Sequence, residues 1–181
     1  NTYTQTITIE DETDPVIADV PAGYDVQCAG DVLELPQDEH PTITDNCVQV
    51  NVDYSESVVP GGCEDKFTVV RRWVATDQCG NASVAFQIIN VNDDTDPVLA
   101  DLPDETVSVP CAADVPAVAA VSATDNCGEP LTVDFSEVQI PGACVNQYQL
   151  VRTWTAEDDC GNSTSFVQTI TVNDDVAPTF S

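Results

Sequence analysis

The chain has 181 residues, with 32 acidic side chains against 4 basic ones and a formal net charge of −28. Free nucleic acid and an anionic membrane surface are excluded as partners, because both require a basic face. No apolar run approaches the ~18 residues of a spanning helix, so membrane insertion is not expected.

The surplus negative charge calls for relief by salt or by bound cations. The 42% hydrophobic content and two tryptophans argue for folded cores rather than disorder. Alternating apolar and polar residues, rich in Val, Ile, Thr and aromatics, predict strands at 4–10, 66–75, 83–91, 131–138, 149–156 and 165–172. Shorter strands are expected within 23–28 and 41–45. Pro60-Gly61-Gly62, Gly80-Asn81, Pro141-Gly142 and Gly161-Asn162 break the runs. No helical periodicity persists over eleven residues or more.

The elements repeat. Residues 69–97 align with 150–178, bringing Trp73 onto Trp154 and Cys79 onto Cys160. Cys28, Cys47 and Cys63 recur as Cys111, Cys127 and Cys144. Residues 5–15 match 87–97 and 168–178, so the predicted layout has three parts. Residues 1–13 are the last strand of a preceding repeat, 14–95 a first immunoglobulin-like repeat, and 96–181 a second with the start of the next linker. The expected fold is all-β, as tandem immunoglobulin-like β-sandwich modules with two disulfides each. Very short linkers predict a semi-rigid rod taken from a longer array.

An even number of cysteines at repeated spacing predicts disulfides and an oxidising compartment. Zinc is disfavoured: there is no C-x2-C pair, and the single histidine, His40, is not repeated. Topology selects one of the three pairings open to each module. A first strand running away from the linker puts Cys28 at the far pole, and the returning strand brings Cys47 to the near pole. The tryptophan strand starts after Cys63 and ends before Cys79. The expected bridges are Cys28–Cys63 and Cys47–Cys79, repeated as Cys111–Cys144 and Cys127–Cys160. Each closes a loop of about 35 residues and contributes about 3–4 kcal/mol by loop entropy.

The same topology gathers acids at the near pole. Glu12, Asp14, Asp45 and Asp77 are expected there in the first module, with Asn46 beside them. Asp94, Asp96, Asp125 and Asp158 follow in the second, and Asp93 and Asp174 recur between the last two linkers. Carboxylates converging without Lys or Arg suit calcium, which takes six to eight oxygen ligands. The competing reading is that Asp and Asn here shape turns.

Trp73 and Trp154 are expected in the cores, with Arg71 and Arg152 pairing to local carboxylates above them. Asn81-Ala-Ser and Asn162-Ser-Thr fit a glycosylation pattern, but a turn role is favoured, and His40 reads as a surface loop residue. No catalytic constellation is present, so an enzyme is not expected. Exposed loop aromatics that would signal ligand binding are few: Tyr24, Tyr54 and Phe180.

The pattern TDNC…RxWxAxDxCGN…QxIxVxDxxxP, carried by residues 44–47, 71–81 and 87–97 and repeated in the second module, resembles hyaline-repeat-like (HYR-like) immunoglobulin-fold modules. The likeness extends to repeats of large Bacteroidota surface adhesins, including gliding-motility adhesin-like proteins. It implies surface export, often by type 9 secretion, and a role in cell adhesion or in building appendages. The linker VNDDTDP is also similar to cadherin junctions, where such acids bind calcium. The expected partners are neighbouring repeats of the same chain, other chains in a lateral filament, or a surface glycan or protein.

Overall fold

A computed structural model describes residues 2–36, 39–47, 49–128 and 131–174. The chain divides into two compact units, Asn1–Asp93 and Asp94–Ser181. Both are all-β, and among the described residues no helix is long and apolar enough to cross a membrane.

Unit 1 contains β1 (Val16–Ala18), β2 (Tyr24–Val26), β3 (Thr42–Thr44), β4 (Asn51–Pro60), β5 (Lys66–Thr76) and β6 (Ala82–Asn92). One sheet has the order β2-β6-β5-β4, and β1 pairs with β3 in a second. Unit 2 repeats the plan with β7 (Val98–Ala100), β8 (Thr106–Val109), β9 (Ser122–Thr124), β10 (Val133–Pro141), β11 (Gln147–Glu157) and β12 (Ser163–Asn173). Its sheets have the orders β10-β11-β12-β8 and β7-β9. In each unit the first long-sheet strand runs parallel to the last, while the other pairs are antiparallel.

The cores follow from period-two alternation. On β5 and β6, Val69, Trp73, Ala75, Ile89 and Val91 are buried. On β11 and β12 the buried set is Leu150, Trp154, Ala156, Ile170 and Val172. Tyr54 lies in register with Trp73, and Phe135 with Trp154, so the aromatic pairs stack across strands. His40, expected to be a plain surface residue, accepts a 3.1 Å bond at Nδ1 from the Trp73 indole N–H.

The central strands lie close to their expected positions. Strand β4 was not expected, because every one of its residues is exposed and the pattern NVDYSESVVP alternates poorly. It is a sheet edge, partnered only by β5. Residues 2–15 form no strand. A strand exists through its ladder, and among the described residues no strand pairs with this stretch. The 175–178 linker and Phe180 lie outside the described residues.

Gly61 and Gly142, in the turns after β4 and β10, pack so closely that an added Cβ would strike the carbonyls of Lys66 and Gln147.

Candidate cation site

The loops that close each unit are built by aspartate. Asp77 Oδ1 accepts from the backbone N–H of Gly80 (2.7 Å) and Asn81 (2.8 Å), and Asp77 Oδ2 from the Asn81 amide (2.7 Å). Gly80 takes the left-handed φ of +96° that the turn demands. Unit 2 repeats this: Asp158 Oδ1 accepts from Cys160 N (2.9 Å) and Asn162 N (2.8 Å), and Asp158 Oδ2 from Asn162 Nδ2 (2.8 Å). Asn81 and Asn162 therefore hold turns, as their sequence position suggests. Burial pushes the Asp77 carboxyl up, but hydrogen bonds from Asn81, Gly80 and Cys79 outweigh it, and the net shift is downward.

Asp45 and Asp125 stand two residues ahead of their cysteines. Asp45 Oδ1 accepts from Cys47 N at 2.9 Å, and Asp125 Oδ2 from Cys127 N at 3.0 Å. The other oxygen of each, Asp45 Oδ2 and Asp125 Oδ1, is buried without a hydrogen-bond partner.

Asp11, which the sequence reading passed over in favour of Glu12 and Asp14, completes the unit 1 cluster. Its backbone carbonyl accepts from Asn81 Nδ2 (3.0 Å), and its Oδ1 from Asn46 Nδ2 (3.2 Å) and Thr13 N (3.0 Å). Its Oδ2 is buried and unpartnered. Ligand atoms of Asp11, Asp45 and Cys47 lie within 4.8 Å of one another, as do those of Asp11, Asp77 and Cys79. The Cys47 thiol, the Thr13 N–H and the Asn46 amide hold the Asp11 carboxyl below its ordinary range.

The two asparagines fix which linker residue turns inward. Glu12, Asp14, Asp94 and Asp96 are exposed and join none of these groups. Asp11 carries no distinctive sequence signal of its own. Its counterpart Asp93 had been marked as recurring, and alignment of 5–15 with 87–97 identifies the position.

Cys28 and Cys63 are disulfide-bonded in unit 1, and Cys127 and Cys160 in unit 2. The other expected bridges, Cys47–Cys79 and Cys111–Cys144, are open: all four cysteines are exposed thiols. A bridge needs close, aligned sulfurs, and the Cys47 thiol is hydrogen-bonded to Asp11 instead. Nothing around Cys111 and Cys144 explains their open state.

The Asp11 hydrogen bond, burial and the nearby carboxylates push the Cys47 thiol from 9.0 up to about 11. The thiolate is the reactive form. In chelator at pH 8, Cys47 should therefore alkylate about 100-fold more slowly than a thiol of ordinary acidity. Time-resolved mass spectrometry of the iodoacetamide-treated chain checks this.

Each guanidinium over a tryptophan is likewise consumed inside its module. Arg71 Nε donates to Glu56 Oε2 at 2.8 Å, Nη1 to Gln87 Oε1 at 3.2 Å and Nη2 to the Leu33 carbonyl at 2.6 Å. Arg152 donates to Glu137 Oε2 at 2.7 Å, to the Pro116 carbonyl at 3.0 Å and to Gln168 Oε1 at 3.5 Å. Gln87 and Gln168 pass the chain on to the Ala22 and Asp104 carbonyls. Half of the chain's four cations are thus spent on scaffolding, and the charge left outside is overwhelmingly acidic.

Residues 99–172 match the family described as the HYR-like domain with 4 cysteines. The stretch falls within the second repeat, and the first carries the same cysteine and tryptophan pattern. No curated protein matches the chain.

Proposed function

We propose that this chain is a non-catalytic segment of an extracellular stalk, in which disulfide-stapled, calcium-stabilised modules hold a distal part of a bacterial surface adhesin or appendage away from the cell. The HYR-like match and the disulfides fit an extracellular repeat. The observation that carries the stalk reading is duplication of scaffold. The Arg–Glu–Gln–carbonyl clamp, the Asp-held turns and the core tryptophan occur in both modules at corresponding positions. A Bacteroidota adhesin exported by type 9 secretion, including one serving gliding motility, is the setting the resemblance favours.

Calcium is the cofactor of this reading. Asp11 and Asp45 supply buried oxygens that lack a partner, with Asp77 beside them, and hard oxygen donors suit this ion. Asp125 offers the matching unpartnered oxygen in unit 2.

All four bridges belong to the same reading, since each unit closes the pair that the other leaves open. Non-reducing peptide mapping of the exported protein should recover Cys47–Cys79 and Cys111–Cys144 beside the two closed bridges. Recovery of Cys28 joined to Cys47 would overturn the topology.

A groove in unit 1, lined by Leu33, Glu34, His40, Tyr54 and Glu56, favours a second reading, in which this module grips a glycan or protein. Light scattering with and without calcium, together with a glycan array, separates the three roles. The stalk predicts a monomer that binds no glycan. Concentration-dependent mass growth would instead show lateral filament assembly, and saturable glycan binding lost in Tyr54→Ala would show a binding module.

A further inference from the structure

We propose that the Cys47 and Cys79 pair is a redox switch on the Asp11–Asp45–Asp77 cluster, which binds a divalent cation tightly when the pair is a disulfide and weakly when it is two thiols. This deepens the calcium reading above and rests on it.

The argument begins with two short arms. Asp45 lies two residues before Cys47 and accepts its backbone N–H at 2.9 Å. Asp77 lies two residues before Cys79 and accepts from its backbone N–H. Each carboxylate is thus locked to the cysteine that follows it. A bond between the two sulfurs would join the arms, and would fix Asp45 and Asp77 on either side of Asp11.

Unit 2 shows that the arrangement is attainable. There Cys127 and Cys160 are bonded, and both Asp-to-Cys N–H bonds are intact, at 3.0 and 2.9 Å. In unit 1 the open Cys47 thiol instead lies against Asp11 and competes for the carboxylate that a cation would use. Asp11 Oδ2 and Asp45 Oδ2, the two oxygens left for a ligand, are buried and unpartnered. Closure removes the competing donor and orders the cluster before the ion arrives, which strengthens binding by lowering the cost of ordering.

Both thiols are exposed, so an ordinary low-molecular-weight disulfide can close the pair. One sulfur attacks the reagent to give a mixed disulfide and release one reagent thiol. The second sulfur then displaces the other. Two electrons and two protons pass from the cysteines to the two reagent sulfurs, and the cation changes no oxidation state. Coupling of this kind is reciprocal, so a bound cation must make the bridge harder to reduce by the same factor.

The test titrates calcium into the full oxidised chain, a C47S/C79S chain and a C111S/C144S chain, all in chelator-treated buffer. The switch predicts about tenfold weaker binding for C47S/C79S, within the range of coupled sites, and no change for C111S/C144S. A second measurement needs no substitution. In a thiol–disulfide buffer, saturating calcium should lower the Cys47–Cys79 reduction potential by about 30 mV, the equivalent of tenfold for two electrons. Equal affinities and an unmoved potential would overturn the switch and leave calcium binding standing. An oxidised chain that takes up no calcium would overturn the site and the switch together.

Discussion

Replacing Trp154 with alanine is expected to lower the melting point of unit 2 more than any other single substitution considered. The indole is 2% exposed, stacked between Phe135 and Phe166. Removing a buried Trp costs about 3–5 kcal/mol through lost transfer energy and the cavity left behind. A module of this size has roughly 5–15 kcal/mol in hand. Each kcal/mol moves the melting point of a 60–100-residue domain by about 4–8 °C, so a fall of about 12–40 °C is expected. Trp154→Phe keeps most of the ring and should lose less than half as much. Differential scanning calorimetry should show the loss in one transition only, because the other unit has its own core around Trp73. A melting point within a few degrees of the parent would mean that the indole does not carry the core.

Arg152→Ala is the second large effect. The side chain is 5% exposed, and its guanidinium satisfies Glu137, Gln168 and the Pro116 carbonyl at once. Truncation leaves these acceptors without their donor, and an orphaned buried acceptor costs about 1–3 kcal/mol. Glu137 is 37% exposed, so water recovers part of its loss. The expected total is about 2–3 kcal/mol, including the apolar contacts of the Arg stem. Glu137→Gln keeps an acceptor for the guanidinium and should cost at most about 1 kcal/mol. Arg72→Ala is the control: its side chain lies exposed beside the buried Arg71, and its loss should stay within about 0.5 kcal/mol. Urea denaturation of the three variants gives the ranking, and an Arg72 effect as large as that of Arg152 would refute the clamp.

Much of this architecture was legible because burial leaves a period in the sequence. β5 and β11 bury every second residue from Val69 to Ala75 and from Leu150 to Ala156, β6 and β12 from Gln87 to Val91 and from Gln168 to Val172, and their alternation was plain. β4 left no such trace, since an edge strand exposed along its length is free of the constraint that creates alternation. Of the three-residue strands, β2 and β3 fall within the expected stretches 23–28 and 41–45, whereas β1, β7 and β9 are too short for any pattern to declare them.

The candidate site was legible in part. Asp45 and Asp77 were marked by the strand topology, which put their loops at the near pole, and each accepts the backbone N–H of the cysteine two residues on. The choice of Asp11 over Glu12 and Asp14 was not, because it depends on the side chains of Asn46 and Asn81 reaching across from other loops. The turn reading of these acids also holds for Asp77 and Asp158, whose oxygens are largely taken by N–H donors. The demand for a cation falls instead on Asp11 and Asp45, whose second oxygens have no partner.

Scanning calorimetry of the oxidised chain in chelator and in about 10 mM calcium tests the cation-stabilised stalk most directly. Extracellular calcium modules bind in the ~0.1–1 mM range, so this concentration is ~10–100 times the dissociation constant. Linkage then adds about 1.4–2.7 kcal/mol, a rise of roughly 6–20 °C in the melting point of the unit that holds the site. The account predicts that rise for the parent chain and its loss in Asp11→Asn. A melting point that is the same in calcium and in chelator would contradict it.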